Sequence, residues 1–139
     1  MRNSKSMSIS AAVFIMVAMA VIYSCGSSSP NMNTAASSSS AKFVTCPAVP
    51  AALVSITTSP AFAPASTSIA VNGIVRWTNN DSIDHTVTSG TGAPPAFDGK
   101  FDSGHIASNG TVCVQFLVAG TYPYFCNIHP FMTGTVTVQ

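Results

Sequence analysis

Gly120-Thr-Tyr-Pro-Tyr-Phe-Cys126-Asn-Ile-His129-Pro-Phe-Met132-Thr-Gly-Thr-Val-Thr-Val138 reads as strand, loop, strand. Tyr, Phe, Val and Thr fill both arms, and Gly and Pro mark their ends, as pleated segments require. The loop between the arms holds a thiol, an imidazole and a thioether within seven residues, Cys126 to Met132, so all three can turn toward one point. A second imidazole stands upstream at His85, in Asp84-His85-Thr86-Val87-Thr88-Ser89. Two imidazoles, a thiolate and a weak axial thioether form the donor set of a type 1 (blue) copper site. Structural zinc takes four strong ligands, for which a thioether is a poor substitute. Calcium and magnesium take oxygen donors, which this loop does not offer.

Short apolar runs bounded by Gly, Pro, Asn or Ser precede these arms. They predict strands at Leu53 to Thr57, Ser68 to Val71, Ile74 to Thr78, Thr86 to Ser89 and Thr111 to Leu117, before Gly120 to Phe125 and Gly134 to Val138. Asn72-Gly73 between two such runs predicts a hairpin with a type I′ turn. No sustained helical periodicity follows the N-terminal region. About seven to eight strands in roughly a hundred residues predict an all-β, Greek-key β-sandwich. Trp77, Tyr122 and Tyr124 are expected to pack between its sheets.

Five fragments in register resemble the cupredoxin (plastocyanin/azurin-like) family: Trp77-Thr-Asn79-Asn80-Asp81, His85-Thr-Val-Thr-Ser, Phe101-Asp-Ser-Gly104, Gly120-Thr-Tyr122-Pro-Tyr124-Phe-Cys126 and His129-Pro-Phe-Met132-Thr-Gly134. They cover about the last eighty residues, and the short Cys-x-x-His-x-x-Met spacing is most similar to amicyanins. The resemblance implies a cupredoxin sandwich with one copper ion. His85, Cys126 and His129 would form its trigonal plane and Met132 its long axial contact. Asn79 would support the His85 loop and the cysteine sulfur, Pro130 would stiffen the ligand loop, and Phe131 would cover the copper. An apolar patch around His129, with Pro94, Pro95 and Phe131, would dock redox protein partners. The implied activity is single-electron transfer by Cu(II)/Cu(I) cycling in a monomer. The alternative is copper homeostasis or delivery with the same ligands. Catalysis of the multicopper type needs further histidines, and the chain has three in all.

At 139 residues there is room for one domain, and charged residues make up only 6% of the chain. Arg2 and Lys5 precede an apolar run from Ile9 to Tyr23, the pattern of a secretory signal over residues 1–24. Ile22-Tyr23-Ser24-Cys25-Gly26 resembles a bacterial lipobox, with Cys25 lipidated; Tyr23 is not favoured there, and ordinary cleavage nearby is the alternative. Residues 25–41 then read as the lipidated cysteine and a Ser-rich flexible tether reaching roughly 20–25 Å, ahead of the domain at 42–139. The expected product is an exported lipoprotein, periplasmic or at the cell surface, anchored to a membrane by its lipid. Lys42, Arg76 and Lys100 oppose Asp81, Asp84, Asp98 and Asp102 in that mature chain, a net charge of −1. No dense basic footprint is present, which excludes nucleic-acid binding.

With Cys25 assigned to lipid and Cys126 to metal, Cys46 and Cys113 remain, in an exported setting that favours oxidation. In Thr111-Val-Cys113-Val-Gln-Phe-Leu117, Val112, Val114 and Phe116 alternate inward and turn Cys113 outward, where a segment carrying Cys46 can cross. A disulfide is expected; two free thiols are the alternative. His105, the third histidine, is read as a surface or partly buried residue without a chemical role, with a pH-sensitive group as the other reading.

Overall fold

Alternation of burial along the strands divides them between two sheets that face each other across an apolar core. The computed structural model describes residues 39–59 and 61–139. The expected signal segment, Cys25 and all but the last three residues of the expected tether fall outside the described residues. Ten strands are present among the described residues: β1 (Ala41–Phe43), β2 (Ala52–Thr57), β3 (Ala61–Ala63), β4 (Ser66–Ile69), β5 (Ile74–Asn79), β6 (Thr88–Gly92), β7 (Pro95–Asp102), β8 (Thr111–Phe116), β9 (Gly120–Phe125) and β10 (Thr133–Val138). One sheet has the order β1-β8-β5-β2-β3 and the other β4-β10-β9-β6-β7. Most neighbouring pairs are antiparallel; β2 with β5 and β4 with β10 are parallel. This is the all-β cupredoxin sandwich.

The differences from the expected strands have local causes. β6 begins at Thr88 rather than Thr86, because Thr86 gives its amide to the Cys126 sulfur and Val87 gives its amide to Ser103 Oγ. Asn72-Gly73 does not form a hairpin: β4 pairs with β10 in one sheet and β5 with β2 and β8 in the other. The turn there closes by Gly73 N–H to Ala70 O, 2.9 Å. Asn72 alone adopts positive φ, 68°, so the chain crosses between sheets on a turn of type II character. β7 is almost wholly exposed, and its Gly, Asp and Lys carry no alternating pattern to announce a strand.

Trp77 stands fully buried between the sheets. Its ring meets Tyr124 edge-on at 5.3 Å, and Tyr124 in turn meets Phe62 at 4.7 Å. Gly134 makes room for this packing. A Cβ there would lie 2.3 Å from Tyr124 Cζ, so the strand paired with β9 must carry glycine opposite the tyrosine. The Tyr124 hydroxyl is buried without a hydrogen-bond partner.

Burial pushes the Tyr124 phenol from its ordinary 10.0 up to about 12. The folded state therefore prefers the neutral phenol more strongly than the unfolded chain does. Stability from this group is intact below about pH 10 and is lost as pH rises toward about 12, a total of about 3 kcal/mol. Tyr124→Phe should match wild type within about 1 kcal/mol at neutral pH, since the hydroxyl makes no hydrogen bond of normal geometry and its contact with Trp77 is a weak one. Above pH 10 it should be the more stable of the two, which denaturant melts across the alkaline range will show.

The outer face of the β1-β8-β5-β2-β3 sheet is crossed by the segment between β1 and β2. Cys46 on that segment is joined to Cys113 on β8 with a Cα–Cα distance of 5.2 Å. Arg76, paired with Cys113 across β5 and β8, donates from Nη2 to the Pro47 carbonyl. Val114 and Phe116 face the core on the opposite side of β8, as alternation requires.

Candidate metal centre

Two loops at one end of the sandwich bring the donors together. His85 lies between β5 and β6, held by a two-hydrogen-bond bridge to Ile106: Ile106 N–H to His85 O, 2.8 Å, and His85 N–H to Ile106 O, 3.2 Å. Asn79, at the end of β5 and fully buried, ties this loop down. Its Nδ2 donates to Ile83 O and Ile106 O, both at 2.8 Å, and its Oδ1 accepts the Asp81 amide at 2.9 Å. Cys126 follows β9 directly. The loop to β10 is closed by Cys126 N–H to Met132 O (3.0 Å), His129 N–H to Cys126 O (3.1 Å) and Met132 N–H to His129 O (2.9 Å). Three internal bonds in seven residues leave this loop little freedom.

The donor atoms of His85, Cys126 and His129 all lie within 4.8 Å of one another. Cys126 Sγ is 3.7 Å from His85 Nδ1 and 3.7 Å from His129 Nδ1. Metal bonds of about 2.0–2.1 Å to nitrogen and about 2.3 Å to sulfur, opened to a trigonal angle, separate their outer ends by about 3.7 Å. The two sulfur–nitrogen edges therefore suit a metal bonded to the thiolate and both imidazoles. His85 and Cys126 are fully buried, Met132 is buried beside them in the core, and His129 alone of the four is part-exposed.

The surrounding polar groups prepare the donors. His85 Nε2–H donates to Asp81 Oδ2 at 3.1 Å, which leaves the Nδ1 lone pair facing the sulfur. An imidazole fixed in this way is the usual partner of a metal. The same hydrogen bond, with the Ser82 amide, holds the Asp81 carboxyl below the ordinary carboxylate range, against the opposing effect of burial. The sulfur accepts the Thr86 amide at 3.3 Å. The Thr86 hydroxyl accepts the Asn127 amide at 2.7 Å and lies 2.9 Å from Thr88 Oγ1, which donates onward to Asp102 Oδ1. With the Thr88 proton committed to Asp102, the Thr86 hydroxyl donates to Thr88. The backbone N–H is then the sulfur's one strong donor.

Several expected roles change. Asn79 holds the His85 loop, but the donor to the cysteine sulfur is Thr86. Phe131 does not cover the site. The residue is 69% exposed, and its ring stands edge-on beside His129 at 6.0 Å. Asp81 and Thr86 escaped the sequence reading, although the four-residue spacing of Asp81 and His85 is a usable signal. His105 Nδ1 lies 3.1 Å from Asp84 Oδ2, an exposed pair outside the donor cluster, and such pairs contribute little.

The model of copper binding proteins of the plastocyanin/azurin family matches residues 51–139. Amicyanin-alpha of Methylorubrum extorquens is 37% identical over 71 residues, 51% of this chain and 58% of that protein. Amicyanin of Paracoccus versutus is 34% identical over 67 residues, covering 47% of this chain and 48% of that protein. The chain thus spans about half the length of the curated relatives it matches. Among solved structures, a purple cupredoxin from Nitrosopumilus maritimus superposes with a TM-score of 0.57 at 28% identity, over 63% of this chain and 99% of that one. A reduced Cu(I) form of an amicyanin mutant superposes with a TM-score of 0.62 at 24% identity, over 72% of this chain and 99% of that one, and supports the fold. On its sequence, its sandwich and its donor triangle, the chain belongs to the plastocyanin/azurin family of copper binding proteins.

Proposed function

We propose that this protein is a single-electron carrier, with one type 1 copper ion held by His85, Cys126, His129 and Met132. The observation that carries this reading is the pair of equal 3.7 Å edges from the buried Cys126 sulfur to two imidazole nitrogens. Copper bound there would supply a Cu(II)/Cu(I) couple. The chain's own residues hold the donors still: Asp81 fixes the His85 ring, Asn79 fixes its loop, and the closed Cys126–Met132 loop fixes the rest. Donors that do not move on a change of charge keep the reorganisation energy of electron transfer low. Burial of His85, Cys126 and Met132 excludes water from the donor side of the site.

The part-exposed His129 is the route for electrons to the surface. Ile83, Ile128 and Phe131 are exposed apolar side chains of the two ligand-bearing loops, and such a patch suits docking of a redox protein partner. We read the protein as a carrier rather than an enzyme, since its donors build one mononuclear centre. The proposed setting is export and anchorage through Cys25, supported by the N-terminal sequence pattern and testable by mass spectrometry of the mature chain.

Reversible potentiometric titration separates electron transfer from copper delivery. A carrier should show a one-electron couple with copper retained in both states. Loss of copper to a chelator on every reduction would favour delivery. Met132→Leu should keep copper and raise the midpoint potential, because a weak donor to the oxidised ion is removed. Complete loss of copper would make Met132 a primary ligand and overturn the trigonal plane.

A further inference from the structure

The hairpin joining β6 and β7 rests its tip on the ligand loop, and the contact is made by a residue without a side chain. Gly92, the last residue of β6, is buried and pairs with Pro95 across the hairpin. A Cβ on Gly92 would lie 2.0 Å from the Pro130 carbonyl oxygen, 3.0 Å from Thr133 Cγ2 and 3.1 Å from Phe125 Cβ. Pro130 follows His129, Thr133 follows Met132, and Phe125 precedes Cys126. The space that a side chain at position 92 would need is therefore occupied by the chain neighbour of each of the three donors in this loop.

None of the three hydrogen bonds that close the loop uses the Pro130 carbonyl. That carbonyl is instead met by the Cα–H of Gly92, the geometry of a weak C–H···O contact that recurs where backbones approach closely. The Pro130 ring fixes its own φ, which removes one of the rotations by which the loop between His129 and Met132 could absorb a push on that carbonyl. Gly90, two residues earlier, is different: its Cβ would strike Ala96 O at 1.9 Å, a clash inside the hairpin itself.

We propose that Gly92 is a positioning residue of the metal centre: by letting the β6–β7 hairpin close onto the Pro130 carbonyl, it sets where His129 and Met132 sit relative to Cys126. The inference rests on the proposed ligand set. Gly92→Ala, wild type and Gly99→Ala should be compared as full chains. Gly99 is the control because it lies in the same hairpin at positive φ, 82°, with nothing within 4 Å of an added Cβ. An alanine there strains the hairpin without touching the ligand loop.

Gly92→Ala should change the relative intensities of the visible charge-transfer bands, shift the midpoint potential, and move the amide resonances of His129, Phe131 and Met132 even in copper-free protein. Gly99→Ala should lower the melting temperature and leave all three unchanged. A Gly92→Ala protein with wild-type bands, potential and loop resonances would overturn the proposal, as would equal changes in Gly99→Ala. If Gly92→Ala does not accumulate, Pro95→Gly loosens the same brace without a clash and should speed copper extraction by a chelator several-fold. An unchanged extraction rate would then refute it. A wild type that shows no charge-transfer band at all would overturn the ligand set itself, a distinct outcome.

Discussion

Exchanging Cys126 for serine will reduce the intense visible absorption of the copper-loaded protein to background. That absorption requires a thiolate bonded to Cu(II), and Cys126 is the free cysteine among the described residues, at the centre of the donor triangle. Serine is nearly isosteric, and its hydroxyl can still accept the Thr86 amide that the sulfur accepts at 3.3 Å. The sandwich should therefore stay folded, with its far-ultraviolet circular dichroism unchanged. Residual copper would sit among two imidazoles and oxygen donors and show the spectrum of a tetragonal Cu(II) complex. A serine variant that keeps the visible band would place the thiolate elsewhere and dismiss the ligand assignment.

The second large effect is on stability. The Cys46–Cys113 disulfide closes a sequence separation of 67 residues. In the chain-entropy description such a cross-link contributes about 4 kcal/mol by restricting the unfolded chain. The double variant Cys46→Ala with Cys113→Ala should melt roughly 15–30 °C below wild type, at about 4–8 °C per kcal/mol for a domain of this size. The segment that carries Cys46 crosses the outer face of the β1-β8-β5-β2-β3 sheet and contributes no donor. The copper spectrum of the double variant should therefore match wild type below its melting temperature. A melting point within a few degrees of wild type would mean that the strap is held by its other contacts, the Arg76 bond to Pro47 and the backbone bonds from Val44 N–H to Cys113 O and from Ala51 N–H to Ile74 O.

What was legible in the sequence was local. The arms Gly120–Phe125 and Thr133–Val138 declare themselves by β-rich composition and turn residues, and the three donors between them lie within a single loop. The outward-facing Cys113 followed from alternation on one strand, and a single remaining cysteine could pair with it. Features set by contact between distant segments were hidden. β1 and β3 are three residues each and exist because β8 and β2 offer open edges. β7 is a polar partner of β6 and buries little. Asn72-Gly73 carried a strong hairpin signal, but the parallel pairing of β4 with β10 sent the preceding strand into the opposite sheet.

The same division runs through the site. His85, Cys126, His129 and Met132 were readable because soft and borderline donors are chemically distinctive. Asp81 and Thr86 were not, because a carboxylate or a backbone amide gains its meaning only once the fold places it 3.1 Å from an imidazole or 3.3 Å from a thiol. Phe131 shows the converse: an aromatic residue inside a ligand loop invited the role of a lid, and the fold leaves it largely in solvent.

Equimolar Cu(II) added to the purified wild-type chain, with visible absorption and EPR recorded on the same sample, tests directly whether these donors converge on one ion. Convergence at the observed distances predicts one bound copper per chain, an intense thiolate charge-transfer band and an unusually small parallel hyperfine splitting. A weakly absorbing, tetragonal Cu(II) spectrum from a folded and stoichiometrically loaded protein would contradict it.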